Sequence, residues 1–152
     1  MGRVLSIGAI HDILTKSEDS EIDSIVLLER LHKNLQPFVP DGKHITIAVS
    51  GDSAFLSADR ASAVSLVVNE LVTNALEHAF EGREEGNIQI SFCPGQLHHT
   101  VTVTDDGCGF DPCVSRTGNL GLIIAEATVR DRLHGQLSIH SDSGGSRISF
   151  TF

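Results

Sequence analysis

The stretch Val67–Phe80, VVNELVTNALEHAF, decides how this chain is read. At about 100° per residue, Asn69, Glu70, Thr73, Asn74, Glu77 and His78 fall within roughly half of a helix circumference. Val68, Leu71, Val72, Ala75, Leu76 and Ala79 fill the other half. Glu70, Asn74 and His78 are spaced i, i+4, i+8, so they stand above one another along one edge. A carboxylate, an amide oxygen and an imidazole in a row suit a hydrated cation and a phosphate chain. The alternative is an ordinary solvated face of an amphipathic helix.

Composition narrows the field around this helix. The chain has 152 residues, enough for one domain with a proper core. It is 40% hydrophobic and 20% charged, as in a soluble globular protein. A net charge of −9 argues against nucleic acid or an anionic membrane as main partner. A nucleotide carried with a divalent cation stays compatible. No apolar run reaches the length of a membrane span, and no signal-peptide pattern is present. Cys93, Cys108 and Cys113 show no zinc-like spacing, which reads as reduced thiols in the cytoplasm.

Outward from the central stretch, periodicity assigns the remaining elements. Arg3–Lys16 and Glu21–Gln36 have helical spacing, with the polar break SEDS between them and Pro37 as a stop. His44–Ser50 alternates like a strand, and Ala54–Leu56 reads as a short strand returning after Gly51-Asp52. Ser57 or Asp59 caps the central helix, which runs to about Phe80. Asn87–Cys93 and His99–Asp105 alternate around a Pro-Gly turn and form a hairpin. Asn119–His134 is helical with Gly135 at its C-terminal cap, and strands Gln136–Ser141 and Ser146–Phe152 close the chain. This order predicts an α+β, two-layer sandwich with helices on one face of a mixed, mostly antiparallel sheet, preceded by N-terminal helices.

Two glycine segments carry further chemistry. After the strand VTVT comes Asp105-Asp106-Gly107-Cys108-Gly109. A carboxylate at a strand end can accept from an exocyclic amine such as that of adenine, and Gly-x-Gly lets groups approach the backbone. The alternative is a plain DDG turn. Thr117-Gly118-Asn119-Leu120-Gly121-Leu122 directly precedes a helix, whose free N–H groups and dipole favour an anion. It is not a Walker loop, since no Gly-Lys-Ser/Thr follows.

Taken together, NELVTNALEHAF, DDGCG and GNLGL resemble the asparagine box and two glycine boxes of the superfamily of DNA gyrase B, Hsp90, sensor histidine kinases and MutL. Gly145-Ser146-Arg147 resembles its Gly-Thr element. The likeness is greatest to short-lid histidine kinases related to the HWE group, whose ATP-binding region has the Bergerat fold. Residues 1–36 resemble the second dimerisation helix and connector, and 37–152 the ATP-binding catalytic domain.

The resemblance implies roles. Asn74 would coordinate Mg²⁺, Glu70 would orient or deprotonate a water or acceptor, and His78 would lie beside the phosphates. Asp105 would accept from the adenine amine, with Gly107 and Gly109 allowing close approach. Gly118, Asn119, Leu120 and Gly121 would cover the triphosphate, and Ser146 would reach the base. Only Phe110–Thr117 separates the glycine boxes, a very short lid.

Some features depart from the pattern. Glu77 stands where Lys or Arg is usual, and Asn119 where Gly or Ser is usual. The helix bearing the phosphoacceptor histidine is expected to be missing, and His11 does not match it. The implied function is transfer of the γ-phosphoryl of Mg-ATP to a histidine in cytoplasmic two-component signalling. Expected partners are an acceptor helix, a response regulator and a second copy through the N-terminal helices. The alternatives are a regulatory module like the anti-sigma-factor serine kinases, and a nucleotide sensor without transfer chemistry.

Overall fold

A computed structural model describes residues 21–111 and 119–152. The first expected helix, His11, Cys113, Gly118 and most of the short lid lie outside the described residues. In chain order the elements are β1 (Ile22–Asp23), α1 (Ser24–Leu35), a 3₁₀ turn (Gln36–Phe38), β2 (His44–Gly51), β3 (Phe55–Leu56) and α2 (Ala58–His78). There follow β4 (Glu85–Cys93), β5 (Thr100–Asp105), α3 (Leu120–Asp131), β6 (Gln136–Asp142) and β7 (Gly145–Thr151).

The main sheet has five strands in the order β2-β4-β5-β7-β6. Only β2 and β4 run parallel; the other neighbours are antiparallel. The alternation seen in the sequence becomes three rows across the inner face. Gly51, Phe92, Val101, Phe150 and Leu137 form the first, and Val49, Ile90, Val103, Ile148 and Ile139 the second. The third begins apolar with Ile47 and Ile88, then turns polar through Asp105, Ser146 and Ser141. This is the two-layer α+β sandwich of the Bergerat type: α1 meets β2, α2 meets β5 and α3 meets β6, all over that inner face.

Local signals set the helix ends. The Asp23 carboxylate caps α1, accepting from the N–H groups of Ile25 (2.8 Å) and Val26 (3.2 Å). Ser57 caps α2 through the Arg60 N–H (3.3 Å), with Asp59 in the favourable first turn. Burial of Leu27, Leu28, Leu31 and Leu35 along one side of α1 supplies about 1.5–3 kcal/mol each. Of the expected N-terminal unit, the part from Ile22 onward shares one hydrophobic core with α2 and the sheet.

Three local expectations are corrected. Residues Ile22–Asp23 are extended rather than helical, so α1 starts at Ser24. The short strand Phe55–Leu56 does not return along β2; it pairs with Ile22–Asp23 and so ties α1 to α2. At the end of α3 the left-handed residue is His134 (φ 53°), not Gly135. Gly135 is needed for another reason: a Cβ there would lie 1.6 Å from the Thr151 carbonyl oxygen.

Candidate functional site

The polar end of the third row opens into a cavity of about 190 Å³ between α2, the end of β5 and the start of α3. Its walls include Asn74, His78, Asp105, Gly109, Asn119 and Ser146. Residues from distant segments of the chain thus meet around one space. Val103 and Ile148, each two positions from Asp105 and Ser146 on the same strand face, supply its apolar floor with Leu71 and Ala75.

The polar edge of α2 is not a uniformly solvated face. Asn69 and Glu70 are 2% and 4% exposed, Thr73 and Asn74 are half-buried, and Glu77 and His78 are exposed. From His78 back to Asn69 this polar edge therefore passes from solvent into the core. Glu70 lies one turn before Asn74, behind the cavity wall. His78 lies one turn after it, on the rim. The Asn69 Oδ1 finds no hydrogen-bond partner among the described residues. Glu77 is absent from the cavity lining and pairs with His78 at 3.7 Å, whereas Glu81 faces the cavity.

Asp105 and Asp106 are pulled in opposite directions. Alternation puts Asp105 in phase with Val101 and Val103, so it points inward and is buried. Burial raises its pKa above the usual carboxylate value, against hydrogen bonds from the Gly107 N–H (3.0 Å) and from Ser146. Asp106 points outward. Its partial desolvation acts to raise the pKa but is outweighed by donation from the Asn87 N–H (2.7 Å) and Nδ2 (2.9 Å), so the net shift is downward. Asp106 thus clamps the turn to β4, a role not visible in the sequence.

The glycines of this turn are explained by the protein's own backbone. A Cβ on Gly107 would lie 2.2 Å from the Ala79 carbonyl oxygen, at the end of α2. Gly109 has φ 71°, and a Cβ there would lie 1.8 Å from the Asp142 carbonyl oxygen. The turn is therefore wedged between α2 and β6. Beyond it, the Phe110 N–H donates to Ser141 Oγ (2.8 Å), which lies 3.1 Å from Ser146 Oγ.

At the opposite side, Asn119 caps α3 by accepting from the Leu122 N–H (3.1 Å). Its Nδ2 donates to Asn74 Oδ1. Leu120 is exposed and Gly121 buried in the first turn of α3, where helix geometry leaves N–H groups without intrahelical partners. Among the described residues no Lys or Arg lines the cavity.

The comparisons with known proteins meet this geometry. The family described as histidine kinase-, DNA gyrase B- and HSP90-like ATPases matches residues 59–152, which contain all three boxes. The chain belongs to this family. Sensor histidine kinase PdtaS of Mycolicibacterium smegmatis is 35% identical over 150 residues, covering 96% of this chain and 30% of that protein. The blue-light activated histidine kinase EL346 of Erythrobacter litoralis superposes with a TM-score of 0.85 at 25% identity, over 99% of this chain and 46% of that one. Serine-protein kinase RsbW of Listeria monocytogenes is 28% identical over 101 residues, covering 56% of this chain and 61% of that protein. The chain spans less than a third of the length of PdtaS. Its likeness is thus to the ATP-binding region of sensor histidine kinases. No helix among the described residues is long and apolar enough to cross a membrane.

Proposed function

We propose that this chain is the ATP-binding catalytic region of a protein histidine kinase, acting in cytoplasmic two-component signalling. One observation carries the proposal. Asn74 and Asp105, about thirty residues apart in sequence, line the same cavity, with an apolar floor between α2 and the sheet.

In this reading the purine lies over Val103 and Ile148, and its amine donates to Asp105. Ser146 donates to the same carboxylate and offsets part of the upward push that burial gives its pKa. The triphosphate points toward Asn74, His78 and the first turn of α3, and the second glycine box, Gly118, Asn119, Leu120 and Gly121, serves it. The N–H groups and dipole of α3 favour that charge.

The residues present fit Mg²⁺ as cofactor. Asn74 Oδ1 is a hard oxygen donor at the cavity, and the described residues hold no cluster of three or more His, Cys, Asp or Glu that would make an all-protein cage. Mg²⁺ is commonly held by one or two protein oxygens together with water and substrate phosphates. When bound it neutralises charge on the phosphates. Asn74 would hold it, and Glu70, one helical turn away, would orient or deprotonate the acceptor. The acceptor is a histidine on a dimerisation helix, and a response regulator is the next partner in line. Catalysis of this kind is positioning and charge neutralisation.

The alternative is a serine kinase or partner-binding module like RsbW. The PdtaS match takes in nearly the whole chain and the RsbW match little more than half, which favours the histidine kinase. The test is phosphate transfer from labelled Mg-ATP to a supplied helix–loop–helix bearing the acceptor histidine. Acid-labile, base-stable label on that helix is expected. Acid-stable label on serine would contradict the proposal.

A further inference from the structure

We propose that Asn119 is a positioning residue that competes with the cation for Asn74. The inference rests on the reading of Asn74 as the Mg²⁺ ligand, and it concerns how that ligand is held.

Asn119 makes two hydrogen bonds with one carboxamide. Its Oδ1 accepts from the Leu122 N–H and caps α3, while its Nδ2 donates to Asn74 Oδ1. A planar amide fixes the two directions relative to each other. While the cap is made, an N–H dipole points its positive end at the oxygen meant for a cation. A divalent ion at Asn74 Oδ1 is repelled by that dipole and must share the oxygen's lone pairs with it, so binding is weakened while the amide stays in place and is favoured when it turns away. Turning it moves the capping oxygen as well. Cation binding on α2 is thereby coupled to the first turn of α3, which the sequence places more than forty residues downstream.

The latch explains why Asn is present at a position where Gly or Ser would leave Asn74 uncovered. Serine can cap a helix through its hydroxyl, but is too short to span to Asn74. Asn119 therefore adds a contact to α2 and raises the cation requirement in doing so. Glu81 and the absence of Lys and Arg from the described lining make the cavity attractive to stray cations. A competing amide raises the threshold at which an ion without a nucleotide is retained.

The test measures ADP binding to the full chain at rising Mg²⁺, and again in EDTA, for wild type, Asn119→Ser, Asn119→Ala and Asn74→Ala. Asn119→Ser is expected to lower the half-saturating Mg²⁺ about fivefold, the worth of one net hydrogen bond, whatever it does to ADP affinity in EDTA through the glycine box. A purely structural role would change ADP affinity with and without Mg²⁺ alike and leave the Mg²⁺ requirement where it is in wild type. Asn119→Ala is expected to give the same lowered requirement, with lower thermal stability from the lost cap. An unchanged or raised Mg²⁺ requirement in Asn119→Ser overturns the latch, and the cation site itself survives if Asn74→Ala abolishes the Mg²⁺ dependence. Unaltered Mg²⁺ dependence in Asn74→Ala overturns the cation site and the latch with it.

Discussion

Asp105 of β5 and Ser146 of β7 stand opposite each other in register, and the Asp105 carboxylate accepts hydrogen bonds from both the backbone and the hydroxyl of Ser146. In the proposed function this pairing, at the polar end of the third row of the sheet, is what would read the base. Ser146→Ala is expected to weaken adenine-nucleotide binding about fivefold, as for one lost hydrogen bond. Guanine nucleotides, lacking the amine in that position, are expected to show no such loss. Calorimetry with both nucleotides, alongside circular dichroism to confirm the fold, checks this.

The raised pKa of Asp105 gives a pH signature. In the proposed site the carboxylate is the form that would accept from the amine, so affinity is expected to fall as pH drops through the raised value, sooner than for an ordinary Asp. For stability the sign is reversed. The folded state binds the proton more tightly than the unfolded chain, so stability falls as pH rises between the two pKa values, and the penalty persists at neutral pH. Asp105→Asn is expected to bind weakly, to lose the Asp105-dependent part of the pH profile, and to be at least as stable as wild type at neutral pH. Binding and urea unfolding across mildly acidic to neutral pH measure both halves.

Wedged glycines predict a graded stability series. Gly109→Ala meets both a left-handed φ and the Asp142 carbonyl, and Gly107→Ala meets the Ala79 carbonyl. Each is expected to cost about 2–4 kcal/mol. Gly82 is the control: its φ is 71°, but an added Cβ would meet nothing within 4 Å. Gly82→Ala is expected to cost about 1 kcal/mol. Denaturant midpoints decide the order.

Cysteine reactivity offers a local readout. Cys108 is exposed and lines the cavity, while Cys93 is exposed at the end of β4, away from it. In a Cys113→Ser background, Mg-ADP is expected to protect Cys108 from alkylation and leave Cys93 unchanged. Equal rates with and without nucleotide would place the ligand elsewhere.

Much of the fold was legible because alternation and helical spacing survive in β2, β4, β5, β7 and α2. Asp105 was singled out over Asp106 by the resemblance to the glycine box alone; its phase with Val101 and Val103 came into view with the register of β5. Depth was not legible. A helical wheel gives the angle of Asn69 and Glu70 but not that α2 sinks them below the surface. The β1–β3 pair has two residues in each strand, too few to carry a period. At the end of α3 a glycine drew attention from His134, because a glycine that answers a close backbone contact with Thr151 reads in sequence just like a left-handed cap. The Asn119–Asn74 bond joins segments with no shared pattern, so only the folded chain brings it into view.

The central claim is that one cavity holds the cation at Asn74 and the purine at Asp105. Titrating ¹⁵N-labelled protein with ADP, first with Mg²⁺ and then with paramagnetic Mn²⁺, tests it directly. Shifts at Gly107 and Ser146 are expected with either ion, and Mn²⁺ is expected to broaden the side-chain amides of Asn74 and Asn119 most strongly. Broadening centred on the separate groove around Pro40–Lys43, with Asn74 and Ser146 unmoved, would contradict the account.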